Sequence, residues 1–277
     1  MAPSLSSLLK SMVGGARRRI RPRLFLVPSI PTSGSQMLRI MYANMTQTNI
    51  VSVYHIATAG SSYIAGKPFG APSAHWIRTR AGRPLYAITR KDWHPTSYAR
   101  LPVLVKTHES STHNNKRNGS VASEFDGIIL LVRSPTQQIL ANAPRWACNG
   151  RDKKTSAAAC RKDWVRRTCR NATNLRGSIN AWASFYSAWS KVRPKPFVFS
   201  FDRAVADPHA EFERLFGYLN ISGLVDRRRF DAVCREQKRH PVSDWVHACR
   251  PNDVKTLHAE MRMMGVGGIA GELGIDL

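Results

Sequence analysis

Leu24-Phe25-Leu26-Val27 runs through Pro28-Ser29-Ile30 into Pro31-Thr32-Ser33-Gly34-Ser35-Gln36-Met37-Leu38, and this stretch decides the fold. Four apolar residues without alternation read as a strand buried on both faces. The Pro/Ser/Gly loop then opens a helix from about Ser35 to Met45, with Met37, Leu38, Met41 and Tyr42 at helical spacing. Two further apolar strands end in the same manner. Val103-Leu104-Val105 runs into Lys106-Thr107-His108-Glu109, and Gly127 to Val132 delivers Arg133-Ser134-Pro135. A small-residue loop, a Lys/His pair and an Arg at three strand ends imply one anionic ligand at the edge of a parallel sheet.

The rest of the chain supplies the layers around such a sheet. A helix is expected from about Thr136 to Asn142, ended or kinked by Pro144. A long amphipathic helix follows from Leu175 to Lys191, with Ile179, Trp182, Phe185, Tyr186 and Trp189 on one side as core. Phe197 to Phe201 reads as another buried strand, Asp207-Pro208 caps a helix to about Leu219, and Asp226 to Lys238 forms one more. No element is expected in the Gly-rich tail Gly265 to Gly274. Tyr54 to Tyr98, broken by Gly66-Lys67-Pro68, Gly70-Ala71-Pro72 and Gly82-Arg83-Pro84, caps a site or crosses the surface. The expected class is α/β, a central parallel sheet flanked by helices. At 277 residues and 43% hydrophobic the chain makes one domain, 23–277, behind a basic arm or targeting segment, 1–22.

Charge narrows the partners. Lys and Arg number 42 against 18 Asp and Glu, a formal net charge of +24. Such an excess selects polyanions: nucleic acid, sulfated or phosphorylated glycans, an anionic membrane or a nucleotide cofactor. Met1 to Lys91 hold no acid, and Arg145 to Arg176 hold ten Lys/Arg against Asp152 and Asp163. No recognition motif supports nucleic acid. No window approaches 18 uninterrupted apolar residues, so membrane attachment would require an N-terminus longer than the one given. Cys148, Cys160, Cys169, Cys234 and Cys249 lack the paired spacings of a zinc site, and no metal is expected. Four Asn-x-Ser/Thr sequences, at Asn44, Asn118, Asn171 and Asn220, lean toward the lumen of the secretory pathway, where disulfides also form. Asn44 and Asn220 fall on expected helix ends and weigh less. The acid-free N-terminus also fits an organellar transit segment.

The three strand ends carry specific chemistry. Gly34 lets backbone approach a ligand closely, and the N–H groups opening the next helix favour an oxyanion. The loop is not a Gly-x-x-x-x-Gly-Lys-Ser/Thr nucleotide motif, because the second Gly and the Lys are missing. His108 is suited to taking a proton from a hydroxyl, and Lys106 to offsetting charge on a transferring group. Arg133 follows a buried strand and needs an anionic partner, either a ligand or a structural carboxylate.

In this order the segments resemble the sulfotransferases that use 3′-phosphoadenosine 5′-phosphosulfate (PAPS), especially the WSC-domain sulfotransferase-like branch. Pro31 to Arg39 resembles the 5′-phosphosulfate loop, Val105 to His108 the segment with the catalytic His, and Leu131 to Pro135 with Arg145 the 3′-phosphate motif. Phe199 to Asp202, Ala206-Asp207-Pro208 and Phe212 to Leu219 extend the similarity.

The resemblance implies a P-loop-like sulfotransferase fold that moves the sulfuryl group of PAPS to a hydroxyl. It makes His108 the general base and has Lys106 stabilise the sulfuryl charge. Thr32, Ser33, Gly34, Ser35 and Gln36 would cradle the 5′-phosphosulfate, and Arg133 would hold the 3′-phosphate. The acceptor expected from the basic segment and the sequons is a carbohydrate or glycoconjugate in the Golgi lumen. Thr32 stands where many members carry Lys, Met37 replaces a Trp and Ala141 a Ser, and no Arg-Lys-Gly motif follows near the C-terminus. These departures define the alternative, a catalytically silent sulfotransferase-fold protein that binds polyanionic glycans.

Overall fold

The computed structural model describes residues 23–31, 33–46, 50–52, 73–78, 84–89, 101–108, 121–147, 157–238, 247 and 249–276. The strands are β1 (Leu24–Pro28), β2 (Ile50–Ser52), β3 (Ser73–Arg78), β4 (Pro84–Thr89), β5 (Val103–Thr107), β6 (Gly127–Val132) and β7 (Phe197–Ser200). The helices are α1 (Ser35–Thr46), α2 (Pro135–Ala147), α3 (Ala157–Arg170), α4 (Ala172–Ser190), α5 (Phe201–Ala206), α6 (Pro208–Leu219), α7 (Arg227–Lys238), α8 (Pro251–Met263) and α9 (Val266–Glu272). The strands form one sheet in the order β3-β4-β2-β5-β1-β6-β7.

Strand β1 is central. It pairs in parallel with β5 on one side, Leu26 opposite Val105, and with β6 on the other, Leu26 opposite Ile128. β2 and β7 extend this parallel arrangement, while β4 and β3 add an antiparallel edge. All five residues of β1 are buried, which is why the strand reads as continuous apolar sequence. Gly127 allows the β1–β6 approach, since a Cβ there would lie 2.6 Å from the Phe25 ring.

Alternate residues feed two cores. Leu24, Leu26, Val103, Val105, Ile128, Leu130 and Val132 face helices α2, α3, α4, α8 and α9. Phe25, Val27, Leu104, Ile129 and Leu131 face α1, α6 and α7. A period of two within each strand distributes neighbouring residues to opposite layers. Leu26 is fully buried, and truncating such a Leu to Ala costs about 2–5 kcal/mol. The chain leaves β1 through α1 on one face and β6 through α2 on the other, so the crevice at their C-terminal ends is a topological switch point.

The expected α/β class and parallel centre are present, and five details differ. Phe201, expected to end the strand that starts at Phe197, opens α5 instead, with the Ser200 side chain as its cap. α2 continues past Pro144 to Ala147: a proline deletes one hydrogen bond, and the helix carries on beyond the loss. The Cys/Arg-rich segment contains helix α3, with Val165, Thr168 and Cys169 as a narrow buried stripe among exposed cations. Two strands lie within Tyr54–Tyr98, where β3 and β4 pair from Ser73–Thr89 to Arg78–Pro84. The Gly-rich tail forms α9, which buries Val266 and Ala270. Helix α6 starts as expected, with the Asp207 side chain accepting from the Ala210 N–H at 3.2 Å and Pro208 in the first turn.

Candidate anion site at the strand ends

At the end of β1, the Ser29 N–H donates to the Thr107 carbonyl at 3.1 Å, so the β1–β5 ladder continues one residue beyond the strand. This brings His108 against Ser29. Its Nδ1 contacts the Ser29 carbonyl oxygen and lies 3.4 Å from Ser29 Oγ. A carbonyl oxygen has no proton to give, so the shorter contact is a hydrogen bond only when Nδ1 carries the hydrogen. Neutral His108 then keeps its lone pair on Nε2. Lys106, two residues earlier on the same face of β5, stands opposite Val27 and is half-buried.

The loop after β1 turns tightly, with the Ser33 N–H donating to the Ile30 carbonyl at 3.2 Å. Gly34 has φ +91°, and a Cβ there would lie 1.9 Å from Cδ2 of Phe201. Both facts require glycine. The first bond of the α1 ladder runs from the Leu38 N–H to the Gly34 carbonyl, so the N–H groups of Ser35, Gln36 and Met37 precede it. No acidic residue occupies the first turn of α1. Ser33 is fully buried and its Oγ makes no hydrogen bond among the described residues. A buried hydroxyl beside a helix start that no carboxylate complements is suited to an oxyanion.

Arg133 leaves the end of β6 only 6% exposed, with its guanidinium 4.7 Å from the centre of the Phe201 ring. That ring therefore packs against both Gly34 and Arg133, joining two of the expected sites. Asp202, the next residue, accepts a hydrogen bond from the Ser134 N–H. Burial raises the Asp202 pKa, against the opposing pull of the Ser134 N–H and the Arg133 charge. Arg133 thus has a protein carboxylate within electrostatic range and can also face an external anion.

Neighbouring contacts fix these elements. The buried Glu211 carboxylate accepts from the Ser200 N–H at 2.7 Å, from Arg203 Nε at 3.0 Å and from Arg214 at 2.6 Å, holding the β7–α5 junction that presents Phe201. Beneath the end of β6, Trp182 Nε1 donates to Gln138 Oε1 at 3.1 Å, and Tyr186 OH lies 3.0 Å from the Leu131 carbonyl and 3.1 Å from the same Gln138 oxygen. Burial raises the Tyr186 pKa. Thr136 Oγ1 and His258 Nε2, 3.1 Å apart, tie the start of α2 to α8.

Ser33, Gly34, Ser35, Lys106, His108 and Arg133 all lie at the C-terminal edge of the sheet. Thr32 and the side chains of Gln36 and Arg145 lie outside the described residues. The sequence reading did not identify Phe201, Asp202 or Arg39. Phe201 reads as one more strand hydrophobe, and its role arises only where β7 meets the loop after β1. Arg39 is marked in sequence only by its place in the loop motif. It is half-buried, its Nε donates to the Ser35 carbonyl at 3.2 Å, and burial pushes its pKa down to about 10.

No protein-family model matches the chain, and no curated protein matches it. Among solved structures, mouse sulfotransferase SULT7A1 complexed with PAP aligns over 92% of this chain and 89% of that one, at 12% identity and a TM-score of 0.49.

Proposed function

We propose that the chain is a sulfotransferase that moves the sulfuryl group of PAPS to a hydroxyl, with His108 as general base. The observation that carries this reading is the gathering of three chemistries on one sheet edge: the Ser33–Ser35 loop, His108 and Arg133. The buried Ser33 hydroxyl, without a partner among the described residues, and the acid-free start of α1 fit the phosphosulfate end of the nucleotide. Arg133 fits the 3′-phosphate, with Phe201 stacked on its guanidinium.

PAPS, when bound, supplies an activated sulfuryl group whose leaving group is an already anionic bisphosphate. The protein's contribution is positioning and charge. His108, its Nδ1–H engaged by the Ser29 carbonyl, takes the acceptor hydroxyl proton on Nε2. Lys106 balances negative charge beside it. The loop after β1 and Arg133 hold the two ends of the nucleotide and keep the reacting oxygen aligned.

The proposed acceptor is a carbohydrate or glycoconjugate. Its support is the exposed face of α3, where Lys162, Arg166 and Arg170 recur at helical spacing and among the described residues make no ion pair. The proposed location is the Golgi lumen. Cys169 is bonded to Cys249 and Cys160 is also disulfide-bonded, a state that persists in oxidising compartments.

The alternative is a silent protein of this fold that binds polyanionic glycans. It is favoured by the lack of any cation between Pro31 and Leu38, where many members of the resembled family carry Lys. Transfer of labelled sulfate from PAPS to a glycan mixture, lost in His108→Ala, is the expected result. Glycan binding with no transfer by the unmodified chain would establish the alternative.

A further inference from the structure

Three of the four Asn-x-Ser/Thr sequences fall on described residues, and the fold gives each a different setting. Asn44 lies inside α1 and is half-buried. The hydroxyl of its partner Thr46 is buried and donates to the Tyr42 carbonyl at 2.6 Å, and Met45 between them is part of the core. A glycan on Asn44 would stand against a helix packed on the sheet.

Asn171 is exposed, in the corner between α3 and α4. Its Oδ1 accepts from the Asn174 N–H at 3.0 Å and so caps α4. Glycosylation uses the other side-chain atom, Nδ2, and leaves Oδ1 able to cap. Thr173 is exposed as well. Cys169, two residues before Asn171, forms the disulfide to Cys249, so this corner carries two independent marks of a luminal protein.

Asn220 is exposed too, in a left-handed turn (φ 54°) that closes α6, with its backbone N–H donating to the Gly217 carbonyl at 3.0 Å. Ser222 is exposed. The neighbouring Leu219 carbonyl accepts from Arg23 at 2.9 Å, just ahead of β1. Asn220 therefore sits on the sheet edge opposite the candidate site, where a glycan leaves that site open. The expectation that a helix end disfavours Asn220 is reversed, because this helix end faces solvent.

We infer that Asn171 and Asn220 carry N-linked glycans and Asn44 does not. This rests on the luminal location proposed above. In the reaction, the Asn Nδ2 bonds to C1 of an oligosaccharide carried on a lipid pyrophosphate. The C1–O bond to pyrophosphate breaks, and one amide proton is lost to the transferring enzyme.

The test is to express the full chain in cultured animal cells, release glycans with peptide:N-glycosidase in ¹⁸O water and map the peptides. Labelled Asp is expected at positions 171 and 220 and unlabelled Asn at 44. Thr173→Ala and Ser222→Ala, which leave the Asn171 cap and the Asn220 turn untouched, are each expected to remove one glycan. Label at Asn44 in folded protein from the secretory pathway overturns the choice of sites. So does its absence from both Asn171 and Asn220 in protein from the secretory pathway. Glycan-free chain recovered from the cytosol overturns the luminal reading. A second arm with a cleavable secretion signal then separates the two ideas: label at 171 and 220 upholds the choice of sites, and none overturns it.

Discussion

The ring of Phe201 fills the space into which a side chain at Gly34 would grow, with a Cβ on Gly34 falling 1.9 Å from Cδ2 of the ring. Gly34→Ala is therefore expected to lower stability by about 1–3 kcal/mol, from the positive φ and the overlap together. Adding Phe201→Ala should return part of that loss, because it removes the overlap and leaves the φ strain. Urea unfolding of both single variants and the double variant measures the coupling, and strictly additive losses would contradict the contact.

The same ring also lies under the Arg133 guanidinium, 4.7 Å from its centre. Phe201→Leu keeps most of the apolar volume but removes the π face. The expected cost is about 1 kcal/mol in binding 3′-phosphoadenosine 5′-phosphate, roughly fivefold in Kd. Binding of adenosine 5′-phosphate, which lacks the 3′ group, should change less. Equal losses for both ligands in calorimetry would remove Phe201 and Arg133 from the 3′ end.

His108→Ala is expected to lower kcat by about 10²–10⁴-fold, the range for loss of a general base. Affinity for 3′-phosphoadenosine 5′-phosphate should stay near that of the unmodified chain, since the proposed base touches the acceptor. A thermal-shift titration beside the rate assay distinguishes these effects. An unchanged rate would end the role assigned to His108.

The Asp202 carboxyl is raised above its ordinary pKa, chiefly by burial. A raised folded-state value means that the folded protein holds this proton more tightly than the unfolded chain. The stabilising contribution is present at pH below the unfolded value and is lost as pH rises through the folded value. Asp202→Asn, which can still accept from the Ser134 N–H, should therefore gain stability relative to the unmodified chain between acid and neutral pH. Paired urea titrations across that range check the sign, and a gain that shrinks as pH rises would contradict it.

Cys169 and Cys249 are 80 residues apart in sequence and join α3 to the segment before α8. Constraining a loop of that length in the unfolded chain is worth about 4.5 kcal/mol in the chain-entropy picture. Cys169→Ala is expected to lower Tm markedly, and reductant should lower the Tm of the unmodified protein without affecting that of the variant through this bond. Scanning calorimetry with and without reductant is the measurement.

The strands β1, β5, β6 and β7 were legible because each is an apolar run, and α6 because Asp207 and Pro208 mark its start. The ends of those strands also pointed to Ser33, His108 and Arg133. Helix α3 was hidden because its buried stripe is narrow and its exposed residues are mostly cations. The pairing of β3 with β4 was hidden by flanking Gly and Pro, which read as breakers until a partner strand exists. Phe201 illustrates the general limit: its relation to Gly34 and Arg133 is made by contacts between distant segments, and no local pattern records such contacts.

The sheet face formed by Leu24, Leu26, Val105, Ile128 and Leu130 is covered partly by α8 and α9, which follow all seven described strands in sequence. During synthesis the strands leave the ribosome before Leu257, Met261, Val266 and Ala270 are available to cover that face. Until those residues arrive, apolar surface on the central strands stays open to water and to other nascent chains. Arg176 with Glu260, and Thr136 with His258, then tie α8 to α4 and α2. A chain ended after Arg250 and released would therefore carry a sheet with one finished side, and holding chaperones would be expected to bind it on the face that α8 and α9 later occupy.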